Sequence, residues 1–264
     1  MIDNTSRICT IGGSEIGGIL KNKEGRFVTL KCDCGAFSCD GERHYDFSSA
    51  YDTYLEKIGV KEKEFKGNSY TNFGNKLEPI ILKKVNEILG TNYKEYNNLV
   101  HPKNKAIVCN LDGYDKSADC PLLEIKTGGF VKDFSRIEAK VKNYYEQVNV
   151  YNRLLKLNNK KTGKMIIAVY FRPEIFHFTD DELEKIHFDE KNLYIFEVEQ
   201  HEEFQDYGLE KMEKLTEYFD LYKNFGLVLE KEEFDSIFID GKKPRKKMKL
   251  RGVYGLHNNF NPQK

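Results

Sequence analysis

Tryptophan is missing from the chain, net charge is missing at neutral pH, and no stretch stays apolar for long. The absent tryptophan accompanies an abundance of lysine, asparagine and tyrosine, a pattern of AT-rich coding and not of mechanism. No apolar run approaches the roughly 18 residues of a membrane span, so no membrane partner is expected. The opening, MIDNTSRICTIGG, has neither the cationic start nor the apolar core of a secretory signal. The six cysteines are therefore expected to be reduced thiols in a cytoplasmic protein. The charge balance, 42 Lys plus Arg against 42 Asp plus Glu, does not exclude a nucleic-acid partner. An acidic metal site inside a basic groove cancels in such a sum. Repeats, proline-rich linkers and long low-complexity segments are also missing, which favours a single domain over residues 1–264.

What is present is 39% hydrophobic residues, enough for a real core, under a surface that is 32% charged. A Gly-Gly-Ser turn opens a short apolar helix over 11–20, with Ser14 placed as its N-cap. The periodicity predicts helices over 48–58, 71–89, 137–157 and 204–222, and strands over 105–114, 122–127, 164–171 and 193–198. Pro79 is expected to kink the second of these helices or to mark where its regular part begins, and Gly90 to cap it. That order implies an α/β fold with a central mixed β-sheet flanked by helices.

The strongest chemical signal is Asn110-Leu111-Asp112-Gly113-Tyr114 followed by Leu122-Leu123-Glu124-Ile125-Lys126-Thr127. Residues two apart on a strand share a face, so Glu124 and Lys126 point one way while Leu123 and Ile125 point the other. Asp112 is expected to end the preceding strand, where a hairpin, eased by a tight turn at Gly113, carries its carboxylate toward Glu124. Two converging carboxylates form a hard-oxygen site suited to Mg²⁺ or Mn²⁺, to which the backbone carbonyl of Ile125 could add a ligand. An ammonium beside such a metal can orient an attacking water and steady charge on a phosphate. A surface Glu-x-Lys pair is also common in proteins with no such role. Gln147 shares a helical face with Tyr144, Tyr151 and Leu154, and a polar group in that stripe needs a buried partner, catalytic or merely structural.

Asp-Gly followed by Glu-Ile-Lys resembles the core of the PD-(D/E)xK nucleases, which have a restriction-endonuclease-like fold. Ile11-Gly12-Gly13-Ser14-Glu15-Ile16 is similar to the opening motif of YqaJ-type viral recombinases, relatives of lambda exonuclease. Phe73-Gly74-Asn75-Lys76-Leu77-Glu78-Pro79 and Tyr144-Tyr145-Glu146-Gln147-Val148-Asn149-Val150-Tyr151 resemble that family's two helix motifs. The resemblance spans residues 7 to 151. It implies that Glu78, Asp112 and Glu124 bind metal, that Lys126 is the catalytic lysine, and that Gln147 supports the lysine or the scissile phosphate. It further implies that Arg7 and Ser14 hold the terminal 5′-phosphate of the strand being digested. Read from the residues alone, Ser14 is an N-cap at a ready anion site and Arg7 a solvated cation.

Two segments depart from the family. Cys32, Cys34, Cys39 and His44 fall in an insertion near 31–44 and could form a zinc site. Cys-x-Cys is tighter than the usual knuckle spacing, so free thiols are the favoured reading. An iron–sulfur nuclease is disfavoured, because Cys120 is the last cysteine and no C-terminal cluster follows. Near 242–251, Lys242, Lys243, Arg245, Lys246, Lys247, Lys249 and Arg251 crowd around one proline, a solvated charge run that would also suit phosphate contact with a duplex. The expectation is therefore a Mg²⁺-dependent DNA exonuclease, with Mn²⁺ able to substitute, digesting duplex ends 5′ to 3′ for phage-type recombination. The resemblance adds a single-strand annealing protein as partner and a homotrimer as assembly. The rivals are a structure-specific or restriction-like endonuclease on the same core, and a DNA-binding protein whose site has decayed.

Overall fold

In a computed structural model, the structure describes residues 8–16, 50–62, 69–129, 134–173, 179, 181, 183, 185–238 and 250–255. A 3-10 turn (Gly13–Glu15) precedes helix α1 (Ala50–Lys57) and helix α2 (Ser69–Leu89). Strands β1 (Lys94–Val100), β2 (Val108–Tyr114) and β3 (Leu122–Gly128) follow, then helix α3 (Phe134–Leu157) and strands β4 (Met165–Phe171) and β5 (Leu193–Val198). Helices α4 (Glu202–Phe225) and α5 (Lys231–Phe238) lead to strand β6 (Leu250–Tyr254).

The six strands lie side by side in chain order. Every neighbouring pair is antiparallel except β3 and β4, which run parallel. A parallel pair needs a long crossover, and α3 supplies it. The sheet is mixed and flanked by helices, the α/β architecture the sequence implies. All seven residues of β4 are buried, as a central strand covered on both faces requires.

Each face carries its own apolar layer. On one side Phe73, Leu77, Ile81 and Val85 recur every four residues along α2 and press on Leu123, Ile125, Ile166 and Ala168. On the other, α1, α3, α4 and α5 cover Leu122, Met165, Ile167 and Phe196. The alternation along β3 thus sends Leu123 and Ile125 to α2 and leaves Glu124 facing α3, as the period of two demands.

Several expectations need correction. Helix α2 runs unbroken through Pro79, which sits on its exposed side where water can meet the carbonyl the ring leaves without a donor. Gly90, at φ 65°, ends the helix as expected. Strand β2 starts at Val108 and not at 105, and it continues past Asp112 to Tyr114. Strands β1 and β6 and helix α5 were not anticipated. Among the described residues no helix is long and apolar enough to cross a membrane. Arg7, the Cys32–His44 segment and the basic run up to Lys249 lie outside the described residues.

Candidate active site

The geometry around Asp112 comes from an irregularity in the sheet. Between the pairs Lys94–Tyr114 and Tyr96–Leu111, β1 advances two residues while β2 advances three. The surplus is a β-bulge at Asp112-Gly113, and bulges re-aim side chains. Gly113 is therefore not a turn residue. A Cβ there would stand 3.0 Å from both Leu123 and Tyr93, so any larger residue has to push them aside by a few tenths of an ångström. A compensating surplus on β1 lies between Tyr96 and Leu99, where Asn98 adopts φ 59° and its N–H is taken by the Asn110 side chain at 2.9 Å.

Beyond the bulge, β2 and β3 stop pairing. Their ladder consists of Gly113 opposite Leu123 and Tyr114 opposite Leu122. The Asp112 side chain fills the gap, its Oδ2 accepting the Ile125 N–H at 2.7 Å. On a strand, one residue's N–H and C=O point to the same edge, so the Ile125 carbonyl also faces this wedge. That is where the sequence places a metal ligand.

Glu124 enters from β3 and is fully buried. Its Oε1 accepts from Lys126 Nζ and, at 2.6 Å, from Gln147 Nε2 of α3. Its Oε2 is buried with no hydrogen-bond partner. The Lys126 ammonium also stands 5.1 Å from the centre of the Tyr144 ring, a cation–π contact. Glu78 reaches the cluster from α2, half-buried, and feels the charges of Asp112 and Lys126. Glu78, Asp112, Glu124, Lys126 and Gln147 are thus brought together from four elements.

The electrostatics follow from placing three carboxylates away from water. Burial pushes Glu124 up to about 8, with Lys126 opposing and Asp112 adding to the rise. Burial and the Asp112 charge push Glu78 up to about 7. Asp112 is raised as well, by burial first, against the pull of Lys126 and the Ile125 N–H. For Lys126, burial opposes the charge, but Glu124 and Asp112 outweigh it and hold the ammonium well above its ordinary value. With three carboxyl groups to one ammonium, the cluster is short of positive charge. Among the described residues, no three His, Cys, Asp or Glu side chains are gathered to cage an ion as they stand. The donor set nonetheless fits a hard divalent cation, because the unpartnered Glu124 oxygen and the crowded acids are what such an ion would satisfy.

The N-terminal turn differs from its expectation. Gly12, not Ser14, is the N-cap of the 3-10 turn, and Ser14 lies exposed within it. The turn is braced by Glu15, whose Oε2 accepts the Gly12 N–H at 2.6 Å while Oε1 pairs with Lys57 at 2.5 Å. Ile11 forms a parallel bridge to Ile107, which lays the turn beside β2.

Two residues near the cluster escape a sequence reading. Tyr151 looks like an apolar member of the α3 stripe, yet its hydroxyl accepts from Gln147 Nε2 at 2.8 Å. Its position four residues after Gln147 is the one signal available. Glu95, across from the bulge on β1, raises both Glu78 and Asp112 by its charge. It sits in a polar strand that no periodicity reveals.

Residues 36–152 match the family profile of the YqaJ-like viral recombinase domain. That stretch is similar to the YqaJ-like recombinase domain. The matched stretch holds Glu78, Asp112, Glu124, Lys126 and Gln147. No curated protein matches the chain in sequence. Among solved structures, a phage-related exonuclease from Haemophilus somnus 129PT superposes with a TM-score of 0.53 at 18% identity, covering 85% of this chain and 99% of that one. LHK-Exo in complex with dAMP gives 0.52 at 11% identity, with 83% and 92% covered. An alkaline exonuclease, LHK-Exo from Laribacter hongkongensis, gives 0.50 at 13% identity, with 84% and 95% covered. At these identities the likeness shows the fold. The chain is built on the same fold as those exonucleases.

Proposed function

We infer that the protein is a divalent-metal-dependent DNA exonuclease. The observation that carries this is the buried, unpartnered oxygen of Glu124 amid Asp112, Glu78 and Lys126, within a stretch similar to the YqaJ-like recombinase domain. The names of the three solved structures above, each an exonuclease, support the same reading.

Glu124, Asp112, Glu78 and the Ile125 carbonyl would hold the ion, with Mg²⁺ the natural choice for an all-oxygen set and Mn²⁺ able to replace it. When bound, the ion supplies Lewis-acid polarisation of the phosphate and acidifies a water. The chain's own residues do the rest. Asp112 is locked by the Ile125 N–H, so its free oxygen has a fixed direction. Gln147 and Lys126 together occupy Glu124 Oε1, which leaves Oε2 for the ion. The Lys126 ammonium, held charged by Glu124 and Asp112, can steady negative charge developing on the phosphate. In this reading Ser14 and Arg7 receive the 5′-phosphate of a duplex end, digestion runs 5′ to 3′, and the exposed 3′ strand enters recombination through an annealing protein.

Covalently closed circular duplex and its linearised form, each incubated with Mg²⁺, test this directly. The linear form should release nucleotides and leave single-stranded DNA while the closed circle stays intact, with EDTA stopping the reaction. Nicking of the closed circle would instead identify an endonuclease, and no metal-dependent cleavage of either would refute the reading.

A further inference from the structure

The N-terminal turn and the cleavage centre share one side chain. Tyr151 is buried on α3, and one edge of its ring packs against the backbone of Gly13. A Cβ on Gly13 would stand 2.1 Å from Tyr151 Cε1 and 2.6 Å from Cδ1, so the contact exists only because residue 13 has no side chain. The turn cannot slide away, since the Gly13 N–H is held by Cys109 Sγ at 3.1 Å and Ile11 is bridged to Ile107. At the other end of the ring, the hydroxyl accepts from Gln147 Nε2 at 2.8 Å, and the same nitrogen donates to Glu124 Oε1 at 2.6 Å. An amide nitrogen has two hydrogens, and both are committed here.

The geometry points to Gly13 and Tyr151 as positioning residues that couple the N-terminal turn to Glu124. The turn seats the ring, the ring places the hydroxyl, and the hydroxyl aims the Gln147 amide. The amide, with Lys126, decides which oxygen of Glu124 is left free. A displacement of the turn is therefore felt at the carboxylate. This inference rests on the acid cluster being the cleavage centre, and it adds that the turn sets the geometry of that centre.

Tyr151→Phe keeps the ring and removes only the oxygen, while Gly13→Ala keeps the oxygen and displaces the ring. Tyr151→Phe should lower kcat about tenfold with KM for DNA and Tm unchanged, the loss of the one polar contact that aims the Gln147 amide at Glu124. Gly13→Ala should lower kcat about a hundredfold, as a misplacement of about 1 Å can. In both variants the Mn²⁺ affinity, read by calorimetry without DNA, should fall about tenfold, as it does when groups behind metal ligands are lost. The double variant should be no worse than Gly13→Ala, because a hydroxyl already displaced has nothing left to lose. Multiplying effects in the double variant would overturn the coupling. So would a Tyr151→Phe protein within twofold of wild type in both rate and Mn²⁺ affinity. If Gly13→Ala does not fold, Tyr151→Phe decides alone by those two readings. A wild type without metal-dependent cleavage would instead defeat the functional reading beneath.

Discussion

Lys126 and Asp115 show how differently two charged side chains are used within one hairpin. Lys126 is held between Glu124 and the Tyr144 ring, and it is not a ligand in this account. Lys126→Ala should therefore lose most cleavage while still binding Mn²⁺ by calorimetry. Loss of both together would make the lysine a structural residue. Asp115 serves the fold: its carboxylate accepts the Ser117 hydroxyl at 2.5 Å, the Asn92 N–H at 2.8 Å and the Ser117 N–H at 2.8 Å. Those bonds, the Ser117 hydroxyl first, bring its pKa down to about 2. A carboxyl whose pKa is depressed on folding stabilises above its unfolded value near 4 and ceases to as pH falls through its folded value. Asp115→Asn should thus lower Tm at neutral pH, and the gap to wild type should close between about pH 4 and 2. A gap independent of pH would show that these bonds do not depend on the charge.

At the scale of elements, the bulge in β2 is what turns a strand residue into a site residue. Gly113 permits it, so Gly113→Ala should force Leu123 and Tyr93 aside at a cost of about 1–3 kcal/mol and swing Asp112 off the Ile125 N–H. Thermal melts and cleavage rates should both fall, and a variant with normal activity would separate Asp112's aim from the bulge. The bulge also marks where sequence reading stops. Asp112, Glu124 and Lys126 were legible because strand alternation and a known motif coincide, and Gln147 because a polar group in an apolar stripe needs a partner. Strand β1 was not legible, since of Lys94 to Val100 only Leu99 is fully buried and two register shifts break its period. Helix α5 depends on Phe234 and Phe238 meeting Tyr51, Tyr54 and Tyr218 from elsewhere in the chain. Ser14 looked like an N-cap because serine caps helices often, but here Gly12 takes the position and Glu15 reaches back to its N–H.

For the whole molecule, the two apolar layers leave the wedge between β2 and β3 as the place where α2, α3 and the sheet all deliver polar groups. The N-terminal turn lies beside it through Ile11 and Tyr151. If Arg7 and Ser14 receive a 5′-phosphate there, a phosphorylated duplex end should be digested roughly ten- to a hundredfold faster than a 5′-hydroxyl end. Arg7→Ala should erase most of that preference by slowing only the phosphorylated substrate. Equal rates on both ends in the wild type would remove the 5′ anchor and leave the cleavage centre standing. The centre itself is tested most directly by nucleotide release from linear duplex DNA in Mg²⁺, wild type beside Glu124→Gln. The expected result is rapid release by the wild type and a loss of more than about a hundredfold in the variant. Release by Glu124→Gln at close to the wild-type rate would contradict it.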